Sequence, residues 1–328
     1  MAEVKVGTTV SRIDLSSILA LFRLIPEKGH KFPAYKAGQY VALRRENCRL
    51  TKRVIRPDGS ILYVPDLDEH GNQKRGPVTH SYSVSSAPYE TAEKGWLEFY
   101  IILETYQDGE AGRLTESLFQ LDPTEDNKIF YFTKIAGDFT LEKRARDFQN
   151  VVFVGTGTGL APFASMLKQL HHEARNGNAS GVRYTLFHAN RGRAELGYHE
   201  RLLEIEREGT IDFVYVPSVS RPSREELADI TLGKGRANNL LRSVFDLPMK
   251  EEENLMHVQE LGDDPAHSQA LLDRAVRPVL PDGVTTSRLL ERMDPRNTII
   301  LTCGNPLAMA DIEHIAATVG TKFEKEVW

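Results

Sequence analysis

Val151-Val152-Phe153-Val154-Gly155-Thr156-Gly157-Thr158-Gly159-Leu160-Ala161-Pro162 decides how the second half of this chain folds. Its first four residues are β-branched or aromatic, as a strand buried on both faces requires. Beyond the glycines, Phe163, Met166, Leu167 and Leu170 recur at helical spacing along one face. Pro162 then stands early in a helix, where its missing N–H removes no intrahelical bond. The stretch therefore predicts strand, Gly-rich turn and helix. The helix N-terminus of such a unit offers unpaired N–H groups and a positive dipole end, and glycines let a pyrophosphate approach the backbone. Gly155, Thr156, Gly157, Thr158 and Gly159 are thus candidate phosphate ligands. Leu160 stands where the G-x-G-x-x-G fingerprint has its third glycine, so the motif is a different one.

Outward from that unit, Arg183 to Phe187 and Asp212 to Val216 read as further buried strands. The latter runs into Ser218-Val219-Ser220-Arg221-Pro222. A site for NAD usually offers a carboxylate to the ribose, whereas a hydroxyl and a guanidinium suit a 2′-phosphate. Ser220 and Arg221 therefore point to NADP. Arg236, in Gly233-Lys234-Gly235-Arg236, and Arg191, in His188-Ala189-Asn190-Arg191, are candidates for the same anion site; Arg191 taken alone reads as a solvated surface charge.

The first half is built differently. Tyr40 to Leu43, Ser81 to Val84, Leu97 to Leu103 and Lys128 to Thr133 are rich in aromatic and branched residues and separated by Gly, Pro and Asp turns. With Arg113 to Phe119 as the one helical stretch among them, an antiparallel barrel is expected rather than a parallel sheet. His80-Ser81-Tyr82-Ser83 places Tyr82 on one strand face with a hydroxyl beside it. Taken alone, Tyr82 is a core or surface strand residue. Gly112-Arg113-Leu114-Thr115 opens the helix with its N-terminus available to phosphate. Near the other end, Cys303-Gly304-Asn305-Pro306 is a second strand-to-helix turn. Glu326-Val327-Trp328 closes the sequence with a carboxylate and an aromatic suited to cover a flat redox ring.

In this order, Gly38-Gln39, His80 to Ser83, Gly112 to Thr115, Gly155 to Pro162, Ser220-Arg221, Cys303 to Pro306 and Glu326-Val327-Trp328 resemble the ferredoxin-NADP (flavodoxin-NADP) reductase family over nearly the whole chain. The resemblance implies FAD on a barrel, NADP(H) on an α/β domain, and exchange of electrons with ferredoxin or flavodoxin. Residue by residue, it implies that Tyr82 stacks on the flavin, with the Ser83 hydroxyl toward its reactive nitrogen and Trp328 over the opposite face. Gly112 and Thr115 would hold the FAD pyrophosphate, and Gly155, Gly157 and Gly159 that of NADP. Cys303, beside Gly304, would lie against the nicotinamide, and Glu326 would assist proton and electron exchange. Ser220, Arg221 and Arg236 would take the 2′-phosphate. The family's flavin motif begins with Arg where this chain has His80, which lacks the guanidinium fork, so weaker FAD retention is expected unless Arg113 or a basic residue between Arg44 and Arg56 compensates.

Length fits two domains: 328 residues exceed one comfortable core. The expected division is an FAD-binding antiparallel β-barrel over 1–145 and an NADP-binding α/β parallel-sheet domain over 146–328, joined through the charged stretch Leu141 to Gln149. A polar segment, 247–288, precedes the last strand; a lid, an oligomer contact and a disordered loop are open readings of it. The net charge of −5 argues against a dedicated nucleic-acid binder. Arg44, Arg45, Arg49, Lys52, Arg53 and Arg56 crowd one segment, which suits an acidic ferredoxin, an FAD phosphate or a solvated hairpin. With only Cys48 and Cys303, the chain cannot ligate an iron-sulfur cluster by itself, and no metal-ligand spacing is present. No signal peptide and no membrane-length apolar run are seen, so a cytoplasmic protein is expected. The expected function is hydride transfer between NADP(H) and FAD with single electrons passed to ferredoxin or flavodoxin. The alternatives are an NADPH-dependent reductase of a quinone, free flavin or oxygenase component, and a nucleotide-sensing module without turnover.

Overall fold

The computed structural model describes residues 4–57, 59–105, 112–122 and 124–326, with Val10 described by its backbone alone. The chain divides into two compact units, Met1–Asp138 and Phe139–Trp328. The stretch read as a linker lies inside the second unit and begins with a short helix.

In the first unit the elements are β1 (Val4–Ser16), β2 (Leu19–Pro26), β3 (Tyr40–Arg49), β4 (Thr51–Ile55), β5 (Ile61–Pro65), β6 (Arg75–Ser83), α1 (Pro88–Lys94), β7 (Leu97–Ile102), α2 (Arg113–Phe119) and β8 (Lys128–Phe132). Six strands form one antiparallel half-barrel in the order β6-β3-β8-β1-β2-β7. Period-two alternation builds its inner face. Ala20, Phe22 and Leu24 of β2, Val41 and Leu43 of β3, Phe99 and Ile101 of β7, and Ile129 and Tyr131 of β8 bury there against Leu114 and Leu118 of α2. Each large apolar side chain so buried contributes roughly 1.5–3 kcal/mol. Leu114 and Leu118 are four residues apart, so one side of α2 seals the sheet. The β3–β6 pairing shifts between Arg45 and Cys48. Arg45 is only 7% exposed there and donates to Ser117 Oγ at 3.0 Å and to Asp126 Oδ1 at 2.9 Å. β4 and β5 pair only with each other.

The second unit contains α3 (Leu141–Arg144), β9 (Asn150–Thr156), α4 (Leu160–Arg175), β10 (Arg183–Asn190), α5 (His199–Glu208), β11 (Asp212–Val219), α6 (Arg224–Ala228), β12 (Gly233–Lys234), α7 (Ala237–Val244), α8 (Lys250–Leu261), α9 (Ala266–Arg274), α10 (Thr286–Leu290), β13 (Thr298–Cys303), α11 (Pro306–Val319) and β14 (Lys322–Lys325). Its sheet runs β12-β11-β10-β9-β13-β14, all parallel. One face packs Val152, Val154, Phe187, Val214, Val216 and Ile300 against α7 and α11 through Leu240, Leu241, Ile312 and Ile315. On the other face Phe153 meets Phe163 of α4 with ring centroids 4.9 Å apart. Strands buried on both faces need continuous apolar runs, which is why β9, β10 and β11 were readable in the sequence.

The polar segment 247–288 is neither featureless nor loosely attached. It forms α8 and α9, which pack on each other. Arg242 of α7, 1% exposed, ties it down by donating to Pro248 O at 2.9 Å, to Glu253 Oε2 at 2.8 Å and to Asp311 on α11. That segment also pairs back to the sheet through the bridge Lys234↔Val279.

Candidate functional site

Strand order in the second unit runs from β9 through β10, β11 and β12 on one side and through β13 and β14 on the other. β9 and β13 are therefore neighbours at the point where the order reverses. In open parallel sheets ligands bind outside the carboxyl ends of the strands at such a point. The Gly-rich turn leaves β9 there, and the Cys303–Pro306 turn leaves β13 beside it. The two turns interlock. A Cβ on Gly159 would lie 2.0 Å from Cys303 O, and one on Gly304, at φ 124°, would lie 2.3 Å from Thr156 O. Thr156 Oγ1 accepts the Asn305 N–H at 2.8 Å. Gly159 thus serves the contact between turns. Among the glycines of these two turns, only Gly157 combines a left-handed φ of 58° with open space around its missing Cβ, the condition for backbone approach by a ligand.

Cys303 is fully buried, and its thiol donates to Glu326 Oε2 at 3.3 Å. Glu326, 5% exposed, is held by its own N–H on Thr302 O at 3.0 Å. Two motifs singled out in the sequence thus meet through one pair. Trp328 lies outside the described residues.

Ser220, Arg221, Arg191 and Arg236 also come together. Ser220 donates its N–H to Asn190 O at 2.8 Å and its hydroxyl to the same oxygen at 3.0 Å. Arg221 N–H bonds Arg191 O at 2.9 Å, and Gly235 N–H bonds Val219 O at 2.9 Å. These bonds set three exposed arginines along the carboxyl edge of β10, β11 and β12. Arg236 Nη1 lies 3.1 Å from Glu251 Oε1, a partner the sequence reading missed because it comes from the insertion.

Beneath this edge lies a buried polar group that also went unread. Tyr215 OH bonds His188 Nδ1 at 3.0 Å and His199 Nδ1 at 3.2 Å. Burial pushes the His188 pKa down to about 3, with a smaller push from His199, so the imidazole is neutral near pH 7. Its Nε2 has no hydrogen-bond partner among the described residues.

In the first unit, β6 pairs with β3 so that Tyr82 faces Val41 and His80 faces Leu43. Both side chains share the inner face; Tyr82 is partly buried against the core and Ser83 is buried on the opposite face, while Ser81 is exposed. Desolvation, the largest influence, raises the Tyr82 pKa, so its hydroxyl stays neutral. Desolvation also lowers the pKa of His80; Glu104 acts to raise it and Arg113 to lower it. The exposed His80 is thereby shifted toward its neutral form. Gly112 caps α2 without a side chain. The Thr115 hydroxyl spans this turn, accepting Glu104 N–H at 3.2 Å and donating to Gly112 O at 3.3 Å. Leu114, 1% exposed, contributes only backbone. Arg113 Nε is buried with no hydrogen-bond partner among the described residues, which suits an oxyanion ligand.

Of the basic segment, Arg44 pairs with Glu46 and Arg49 with Glu116, and Arg45 is buried. Lys52, Arg53 and Arg56 stay exposed on the β4–β5 hairpin and its turn. Among the described residues no helix is long and apolar enough to cross a membrane, and no cluster of His, Cys, Asp or Glu is placed to hold a metal ion.

Residues 153–258 match the oxidoreductase NAD-binding domain family. The chain is 30% identical over 152 residues to the inducible nitric oxide synthase of Bos taurus, across 44% of this chain and 13% of that protein. It is 26% identical over 218 residues to the reductase component of propane 2-monooxygenase from Rhodococcus jostii, across 66% of this chain and 46% of that protein. The chain thus spans less than half the length of these curated relatives. Among solved structures, a ferredoxin NADP+ reductase from Neisseria gonorrhoeae, with bound FAD and NADP, superposes with a TM-score of 0.57 at 19% identity, covering 99% of each chain. The chain thus has the two-domain fold of the ferredoxin-NADP reductase type, and the residues that match the NAD-binding family lie in its second unit.

Proposed function

We propose that this chain is an FAD-dependent, NADPH-preferring oxidoreductase that draws two electrons from the nucleotide and delivers them singly to a small redox protein. The observation that supports this most is the carboxyl edge of the second unit's sheet, where a Gly-rich turn at the strand-order reversal stands in line with Ser220, Arg221 and Arg236. FAD, when bound, supplies the conversion between two-electron and one-electron transfer. Each turnover then releases NADP+, one proton and two reduced acceptors.

The chain's own residues divide the work. Gly157 and the N-terminus of α4 bind the nucleotide pyrophosphate, and Ser220 with Arg221, Arg236 and Arg191 binds the 2′-phosphate. Cys303 packs against the nicotinamide, and Glu326 holds the thiol proton at Sγ. In the first unit the partly buried Tyr82 ring offers a stacking face and Ser83 a hydroxyl. Arg113 Nε and the first-turn N–H groups of α2 suit the FAD pyrophosphate. Neutral His80 and the adjacent Glu104 weaken that anion site, so FAD is held less tightly than an arginine at position 80 would hold it.

A ferredoxin or flavodoxin is the acceptor that the motif order suggests, and the exposed Lys52, Arg53 and Arg56 suit an acidic one. The Rhodococcus jostii relative, a monooxygenase reductase component, favours an oxygenase partner as the second reading. An anaerobic NADPH titration of the purified protein tests both. Bleaching of bound flavin followed by reoxidation on adding ferredoxin or flavodoxin supports the first acceptor; reoxidation only by an oxygenase component supports the second. A protein that binds no FAD on reconstitution overturns the proposal.

A further inference from the structure

The three arginines at the sheet edge differ in what they face. Arg191 and Arg221 are exposed, and among the described residues neither forms an ion pair. Arg236 does: its Nη1 sits 3.1 Å from Glu251 Oε1, while its own side chain stays 67% exposed. Glu251 is 7% exposed. Its second oxygen accepts from Asn239 Nδ2 at 2.7 Å, and Asn239 Oδ1 accepts the N–H of Lys250, the first residue of α8, at 3.0 Å. A carboxylate on the first turn of the inserted helix is thus held at both oxygens, one of them against an arginine of the anion site.

We infer that Glu251 is a specificity-determining residue that competes with the nucleotide 2′-phosphate for Arg236, which makes the inserted helix part of the selection between NADPH and NADH. The inference rests on reading Ser220, Arg221 and Arg236 as the 2′-phosphate site. A phosphate that draws Arg236 must share the guanidinium with Glu251 or leave a buried carboxylate oxygen without its donor, and the second outcome costs more than the bond itself. Sharing also brings two anions close, a repulsion that salt screens only in part. NADH places only a neutral hydroxyl there and escapes both effects. The insertion thereby holds 2′-phosphate affinity below what three unopposed arginines would give.

Calorimetric binding of 2′,5′-ADP and 5′-AMP isolates the 2′-phosphate from flavin and turnover. Wild type is compared with Glu251→Gln, Arg236→Ala, Arg221→Ala and the double variant Arg236→Ala/Glu251→Gln. Glutamine keeps an acceptor for Asn239 and releases Arg236. Glu251→Gln should bind 2′,5′-ADP about three- to tenfold more tightly, as an ion pair exposed on one side allows, and shift 5′-AMP less than about twofold. The gain should vanish in the Arg236→Ala background. Where Glu251→Gln does not fold, the remaining comparison decides: Arg236→Ala should cost at most about a third of the fold-loss that Arg221→Ala costs, because Glu251 already claims part of Arg236. Wild type that prefers 2′,5′-ADP, with no gain in Glu251→Gln, a gain that survives Arg236→Ala, or equal losses from the two arginines, overturns the role of Glu251 alone. Wild type that binds the two nucleotides equally overturns the 2′-phosphate site and this inference with it.

Discussion

Acid should unfold the second unit through His188. Its imidazole is fully buried, bonded to Tyr215, and its pKa stands at about 3, against 6.5 for a free histidine. The unfolded chain therefore binds this proton below pH 6.5 while the folded chain refuses it until about pH 3. Stability contributed by the neutral ring is complete above 6.5 and declines as pH falls, by about 1.4 kcal/mol per unit. At pH 4.5 the loss from this residue alone is roughly 2.7 kcal/mol, a large share of a typical domain's stability. His199 and His171 are lowered by desolvation as well and add in the same direction. A chain of two units need not unfold in one step, so the measurement should be urea dependence of hydrogen exchange in peptides of β10 and β11 between pH 7.5 and 4.5. His188→Gln keeps a donor for Tyr215 and cannot titrate. Its slope of stability against pH should be shallower than wild type by about 1.4 kcal/mol per unit below about pH 6 and the same as wild type near pH 7.5. Equal slopes in the two proteins would refute the reasoning, whatever the variant's stability at neutral pH.

Gly159→Ala should lower Tm and cost about 3 kcal/mol, since the added Cβ would lie 2.0 Å from the Cys303 backbone oxygen and neither turn can yield cheaply; thermal melts check this. Asp311→Asn should cost roughly 3–5 kcal/mol in urea unfolding by leaving the buried Arg242 guanidinium short of its counter-charge. Limited proteolysis should then cut first in α8 and α9, which Arg242 anchors. Arg221→Ala should weaken NADPH about ten- to a hundredfold, the value of one charged hydrogen bond, and leave NADH nearly unchanged in steady-state kinetics. Equal losses for both nucleotides would make Arg221 structural.

Where folding is decided by neighbours along the chain, the sequence was sufficient. Helix α2 occupies Arg113–Phe119 as its apolar spacing indicated, and the strand, turn and helix beginning at Val151 are present because continuous apolar runs and 3.6-residue periodicity are local properties. β1 and β2 were not read: β1 is mostly half-exposed and carries polar residues on both faces, so its identity rests on pairing with β2 and β8. The helices of the insertion escaped for a similar reason, since α8 buries only Glu251 and gains its place from Arg242 on another element.

The site divides along the same line. Residue types nominated Ser220, Arg221 and Arg236, because a guanidinium and a hydroxyl have chemistry that does not depend on the fold, while the family resemblance gave Cys303 and Glu326 their roles. Tertiary structure alone placed Cys303 on Glu326 across 23 residues of sequence and set Arg236 against Glu251. It also changed the meaning of the glycines: Gly159 is required by the backbone of β13's turn, a contact created only when β13 inserts beside β9. Sequence pattern reports what a residue does to its near neighbours; strand order, and every contact that depends on it, is a choice among distant pairings that burial of the whole sheet makes.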